Sequence, residues 1–200
     1  MSPGFRMLED QVAAIAALFG GGPVTMEGEG FALHEAFNHP APARPGGPPI
    51  WVGGKGGPRL LRLVTRHAAG WNTVWRWTPK AYAERVAVLR QICEREGRDP
   101  GTVRLSVGLL TLVGDTAREV EARYAGLRRW SAGGLDGTPF EEFAADTLTG
   151  TVEECVDRLG RFAELGVEEV ILSPASRPFA VFDWSVVETA ASLIPAVAEL

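Results

Sequence analysis

Four short apolar runs, each followed by an amphipathic helical stretch, constrain this 200-residue chain more than any other feature. Ile50-Trp51-Val52, Gly70 to Trp75, Val103 to Val113 and Val167 to Leu172 read as strands. Each is rich in β-branched, leucine or aromatic residues and bounded by glycine, proline or polar turns. Between them Leu60, Leu61, Val64 and Ala68, then Tyr82, Val86, Leu89 and Cys93, then Val120, Tyr124 and Leu127 recur at helical spacing. Strands alternating with helices imply a parallel sheet with right-handed crossovers. Continuous apolar runs, without strict alternation, imply a sheet covered on both faces.

The helix boundaries are equally readable. Pro58 and Pro79 occupy first helical positions, and the second of these helices runs to about Glu96. Gly97-Arg98-Asp99-Pro100 is a turn by composition. Thr116-Ala117-Arg118-Glu119 and Thr151-Val152-Glu153-Glu154 have capping-box spacing, and the second begins a helix ending at Gly166. Leu8, Val12, Ile15 and Phe19 mark an amphipathic helix from Phe5 to Phe19, stopped by Gly20-Gly21-Gly22-Pro23. The chain is thus one domain: a lead-in helix over 1–22, a Gly- and Pro-rich connection over 23–49, four strand–helix units over 50–182, and a terminal helix over 183–200. Residues 24–49 show no sustained periodicity, and an irregular stretch of that length suits a lid or a substrate-pocket wall. Residues 131–150 form a second irregular insertion, with one helical turn around Phe140 to Ala145.

Composition removes several function classes. With 46% apolar and 22% charged residues the chain is globular, and a net charge of −5 argues against a nucleic-acid partner. Cys93 and Cys155 match neither a zinc pattern nor a disulfide framework, and read as buried thiols of a reducing cytoplasm. Met1-Ser2-Pro3-Gly4 has no leader character and no apolar run spans a membrane, so the expected location is cytoplasmic. His34, His39 and His67 lack metal-ligand spacing, and surface or capping roles are expected, with His67 placed where its charge favours a helix dipole. Glu141-Glu142 and Glu153-Glu154 read as solvated faces and caps.

Chemistry concentrates at Gly53-Gly54-Lys55-Gly56-Gly57-Pro58-Arg59, between a strand and a helix. Glycines admit an anion close to the backbone, the helix start offers free N–H groups, and Lys55 and Arg59 add charge. A tight turn in which glycine supplies positive φ fits the loop equally well. It has neither nucleoside-triphosphatase nor dinucleotide spacing. Trp75 and Trp77, on one face if the strand continues, form either a substrate wall or core. Ser173, Ser176 and Arg177 leave the last strand at the same end.

Pro48-Pro49-Ile50-Trp51-Val52-Gly53-Gly54-Lys55-Gly56-Gly57-Pro58-Arg59-Leu60 and His67-Ala68-Ala69-Gly70-Trp71-Asn72 together resemble the bacterial luciferase-like monooxygenase superfamily. Gly97-Arg98-Asp99-Pro100 and Gly150-Thr151-Val152-Glu153-Glu154 are similar to it as well, while Ala69 replaces a common aspartate. The resemblance implies a (β/α)8 barrel holding FMN or the deazaflavin coenzyme F420 at the carboxy-terminal strand ends. It also implies that Gly53, Gly54, Lys55, Gly56 and Gly57 receive the cofactor phosphate, and that the substrate is a small organic molecule. No catalytic residue is assigned, because the early strands that supply one in many members have no counterpart here. Gly54→Val is expected to abolish cofactor binding without necessarily unfolding the chain.

Four strands are half of the eight a complete barrel needs. The expectation is therefore a partial TIM-type barrel, its carboxy-terminal half, with open apolar edges near Ile50 and Val170. Those edges leave three outcomes, a homo-oligomer self-associated from two half-barrels, a partner chain, or a truncated product, and truncation or self-association is expected ahead of a dedicated partner. Beside an oxidoreductase stands a second reading, a non-catalytic half-barrel that self-associates and binds a phosphate-bearing ligand weakly or not at all.

Overall fold

A computed structural model describes residues 3–131, 133–174 and 183–198. Its sheet carries the expected strands: β3 (Trp51–Gly53), β4 (Gly70–Trp75), β5 (Arg104–Gly114) and β7 (Val167–Ser173), all parallel. They follow a hairpin, β1 (Val24–Gly28) and β2 (Phe31–Ala36), and the helix α1 (Pro3–Phe19). A further parallel strand, β6 (Leu148–Thr151), lies within the stretch expected to be irregular. The sheet therefore has five strands, not four.

β5 is the spine. Over 104–109 it pairs with β4, over 105–110 with β7, and over 111–114 with β6. After Arg104 every residue of this strand is buried, which explains its unbroken apolar pattern. Leu105, Val107 and Leu109 join Val52 and Trp71 in the larger core, beneath α2 (Pro58–His67), α3 (Pro79–Glu96) and α6 (Val152–Ala163). Leu110 and Leu112 enter a second cluster with Tyr124, Leu127 and Phe143, from α4 (Ala117–Trp130) and α5 (Phe140–Ala145).

Local chemistry accounts for the helix ends. Thr78 caps α3, accepting from Ala81 N at 3.0 Å, and Gly97 closes it in the left-handed region at φ 72°. At α6 the capping box is complete: Thr151 Oγ1 accepts from Glu154 N, and Thr151 N donates to the Glu154 carboxylate at 2.8 Å. At α4 the reciprocal arm is displaced by one residue, since Asp115 N, not Thr116 N, donates to Glu119 at 2.9 Å. α6 stops at Ala163, and a turn sets Gly166 at φ 91° before β7. The terminal helix divides into α7 (Trp184–Ala191) and α8 (Leu193–Val197). Pro195 lacks the N–H that would bond to Ala191, so one ladder rung is missing where the helix breaks.

Residues 24–36 are not irregular. The half-buried positions of β1 and β2 alternate with exposed ones, and Asp10 of α1 accepts from Glu29 N at 2.8 Å in the hairpin turn. The helices lie in a layer ordered α1-α2-α3-α6-α8 by their mutual contacts, over strands ordered β3-β4-β5-β7. Among the described residues β3 pairs with β4 alone and β7 with β5 alone, so neither expected edge carries a further strand there. No helix among the described residues is long and apolar enough to cross a membrane.

Candidate functional site

The carboxy-terminal ends of β3 and β4 bring the glycine loop, Lys55 and Trp77 together. Gly54 N donates to Asn72 O at 3.0 Å, and Trp71 Nε1 donates to Gly54 O at 3.0 Å, so β4 holds the loop from below. Trp71 stacks on Tyr82 at 5.4 Å, and Tyr82 meets Trp77 edge-on at 6.0 Å, making an aromatic platform under the loop. Lys55 Nζ lies 5.0 Å from the centre of the Trp77 ring. Desolvation there pushes the Lys55 pKa down, against the attraction of Asp146. Trp77 N in turn donates to Asp146 O at 2.6 Å, and Arg76 pairs with the Asp146 carboxylate at 2.8 Å.

The four glycines divide into two kinds. Gly54 (φ 150°) and Gly56 (φ 71°) have backbones that side chains rarely adopt. A Cβ on Gly56 would lie 2.7 Å from Trp71, and one on Gly54 would lie 3.1 Å from Leu60. Their identity follows from the turn and the platform. Gly53 and Gly57 are exposed, and a Cβ at either would meet nothing within 4 Å. Gly57 is the N-cap of α2 at φ −63° and ψ 151°, provides no side-chain cap, and precedes Pro58. Helical bonding begins with Leu61 N to Gly57 O at 3.0 Å, which leaves the Arg59 and Leu60 amides at an open, acid-free helix start. Neighbours within the chain thus explain two glycines and not the other two.

A model of the family described as luciferase-like monooxygenase matches residues 3–169. The chain belongs to that family. It is 31% identical over 115 residues to a phthiodiolone/phenolphthiodiolone dimycocerosates ketoreductase of Mycobacterium sp. (strain JLS), covering 56% of this chain and 30% of the relative. Its fold is similar to that of an F420-dependent secondary alcohol dehydrogenase in complex with an F420-acetone adduct (TM-score 0.70, 18% identity, 96% of this chain, 62% of the other). It is also similar to that of the monooxygenase RslO1 from Streptomyces bottropensis (TM-score 0.69, 16% identity, 96% and 58%). The chain spans less than two thirds of each relative's length.

Several site expectations for this luciferase-like chain change on the structure. Arg59 does not face the loop. It forms a bidentate pair with Glu9 of α1, 2.8 Å from Nε and 2.5 Å from Nη2, and its guanidinium lies 4.7 Å from the Phe5 ring centre. Trp75 and Trp77 do not share a face as expected, because β4 ends at Trp75. Trp77 is buried in the larger core, whereas Trp75 packs partly exposed against the second cluster, its ring beside Gly108. Trp77 Nε1 is buried without a hydrogen-bond partner among the described residues. The His67 pKa is lowered, by burial and then by Arg66, so the charge expected to favour the helix end is opposed there. Ser173 is buried at the end of β7, while Ser176 and Arg177 lie outside the described residues.

Asp146 and Arg76 are site neighbours that sequence spacing does not disclose, since seventy positions separate them. On the inner side of the sheet Asn72 Nδ2 donates to Ser106 Oγ at 2.8 Å, another contact without a sequence signal. Gly97-Arg98-Asp99-Pro100 has a structural role. Arg98 Nη1 donates to Val64, Thr65 and Ala68 carbonyls at 3.2, 2.9 and 2.8 Å, closing the end of α2. Asp99 caps a single 3-10 turn over Pro100–Thr102. Among the described residues no cluster of three or more His, Cys, Asp and Glu residues is placed to hold a metal.

Proposed function

We propose that this chain carries the phosphate end of the cofactor site of a luciferase-like oxidoreductase acting on a small organic substrate. The supporting observation is the bare helix start: Gly53 and Gly57 keep the space above the backbone open though no described residue comes within 4 Å of a Cβ there. Beside it lies Lys55, its Nζ over the Trp77 ring. This donor set fits the phosphate of FMN or of the deazaflavin coenzyme F420, with Gly53 to Gly57 receiving it through backbone N–H groups. When bound, the ring supplies hydride or oxygen chemistry, while the protein binds and orients it. Trp75, partly exposed at the end of β4, is the apolar wall offered to substrate; Trp77 supports Lys55 from the core. Two buried free thiols suit a reducing cytoplasm.

Gly57→Asp tests the reading. An aspartate at this N-cap satisfies the free α2 amides and raises stability by a few tenths to about 1 kcal/mol. It also places a negative charge where the phosphate is proposed, so calorimetric affinity for FMN and for coenzyme F420 is expected to fall by more than about tenfold. Higher stability with unchanged affinity would remove the loop from the cofactor site. Gly54→Val is the poorer probe, because its φ and the Leu60 contact make it a folding lesion as well.

A further inference from the structure

We infer that Thr73, Trp77 and Tyr82 form a binding site for one internal water molecule in the core beneath the glycine loop. Their polar atoms, Thr73 Oγ1, Trp77 Nε1 and Tyr82 OH, are all buried without a hydrogen-bond partner among the described residues. Thr73 and Tyr82 are fully buried and Trp77 is 7% exposed, so bulk water does not reach these groups. Buried polar side chains are almost always hydrogen-bonded, and each of the three therefore calls for a partner. The other buried threonines have one. Thr65 Oγ1 donates to Leu61 O, Thr111 Oγ1 to Leu109 O and Thr147 Oγ1 to Phe143 O, while Thr149 Oγ1 lies 2.8 Å from Thr147 Oγ1. Thr111 reaches the carbonyl two residues before it, a bond that Thr73 in the adjacent strand does not make.

The three groups meet between β4 and the first turn of α3. Thr73 follows Trp71 on the helix-facing side of β4, since residues two apart in a strand share a face. Tyr82 stacks on Trp71 at 5.4 Å and meets Trp77 edge-on at 6.0 Å, which brings the phenol between the strand and the indole. Their chemistry selects the ligand. An indole N–H only donates, so Trp77 needs an acceptor, which rules out a metal cation. An anion is disfavoured because hydroxyl and indole donors do not offset the loss of its hydration. A water accepts two hydrogen bonds and donates two, and so serves the indole and both hydroxyls at once. Burial pushes the Tyr82 pKa up, so the phenol keeps its proton and can act as donor or acceptor. The water would hold the Trp77 ring, over which Lys55 Nζ lies at 5.0 Å, and would do so whichever ligand the glycine loop takes.

Melting curves decide by their sign. Removing an orphaned hydroxyl relieves its desolvation and raises stability, whereas removing one that holds a shared water leaves the other groups without a partner and lowers it. Tyr82→Phe and Thr73→Val, each close to its parent in shape, are each expected to lower the melting temperature by about 2–4 °C. The double variant is expected to fall little further than either alone, because one substitution already releases the water. A crystal structure of the unaltered chain is expected to show one ordered water within hydrogen-bond distance of Trp77 Nε1 and both hydroxyl oxygens. A melting temperature that holds or rises in either variant, losses that add in the double variant, or a crystal structure with an ion or no water on these atoms would each overturn the inference.

Discussion

Replacing Arg98 by alanine is expected to destabilise the chain by about 2 kcal/mol, through the far end of a helix that Arg98 does not belong to. Its Nη1 reaches three carbonyls at the end of α2, and its Nε and Nη2 reach Thr102 Oγ1 and O at 2.9 and 3.1 Å. One nitrogen with two hydrogens serves those three acceptors, so two effective charge-assisted bonds are lost at α2, each worth about 1.5–3 kcal/mol when desolvated. Arg98 is half-buried and water recovers part of that, which brings the net to about 2 kcal/mol. For a domain of this size the melting temperature should drop by roughly 4–8 °C. Urea unfolding followed by circular dichroism gives the free energy directly, provided that the slope is unchanged. Arg98→Lys keeps the charge near the α2 carbonyls but not the forked reach to Thr102, and should recover about half of the loss. Arg95→Ala, which removes one exposed bond to Gln91 O, is the control and should stay within about 0.5 kcal/mol. An Arg98→Ala change as small as the control would mean that the α2 carbonyls are equally well served by water.

Gly56→Ala should cost at least about 1–2 kcal/mol from its positive φ, with the Trp71 contact adding to it, and a melting curve that does not move would refute the platform geometry. The Cys155 thiol, its pKa pushed up to about 12 by burial, should resist iodoacetamide at pH 8 in the native state and react after addition of urea; rapid native labelling, read by mass spectrometry, would contradict that burial. Glu9 and Glu96 have carboxyl pKa values below the ordinary 4.5, held down chiefly by hydrogen bonds from Arg59 and Arg66. Their stabilisation is present above the unfolded value and is lost as pH falls from about 4.5 through the lowered folded values. Urea midpoints measured from pH 7 to pH 3 should fall in that window, less steeply in Glu9→Gln; equal slopes would show that the α1–α2 pair contributes nothing.

The sheet is legible in the sequence wherever burial and period agree. β4, β5 and α3 are long or strongly apolar, and Pro79, Thr116 and Thr151 announce their helices because the chemistry of a helix start is local to three or four residues. β6 is hidden for the opposite reason. Leu148-Thr149-Gly150-Thr151 has one apolar side chain and becomes a strand only because β5 runs past its other neighbours and offers four more residues to pair with. The hairpin does carry a signal, apolar residues at 24, 26, 31 and 33, but the glycines around it and the prolines that follow mask the alternation. At the site the glycine loop is visible, yet which glycines serve the turn and which leave room for a ligand depends on Trp71 and Leu60 lying beneath them. Arg59 shows the same limit: its charge is plain, and its partner Glu9 lies fifty residues away.

β5 has a consequence for how the molecule comes apart. Every backbone ladder between the β3-β4 pair and the β6 and β7 strands passes through this one strand, so in the language of networks it is a cut vertex. A proline placed in it, for instance Val107→Pro, would not trim an edge but disturb the ladders to β4 and to β7 together. The slowest-exchanging amides of the protein should accordingly lie along Leu105 to Leu109 and be lost together, whichever end of the sheet is strained first.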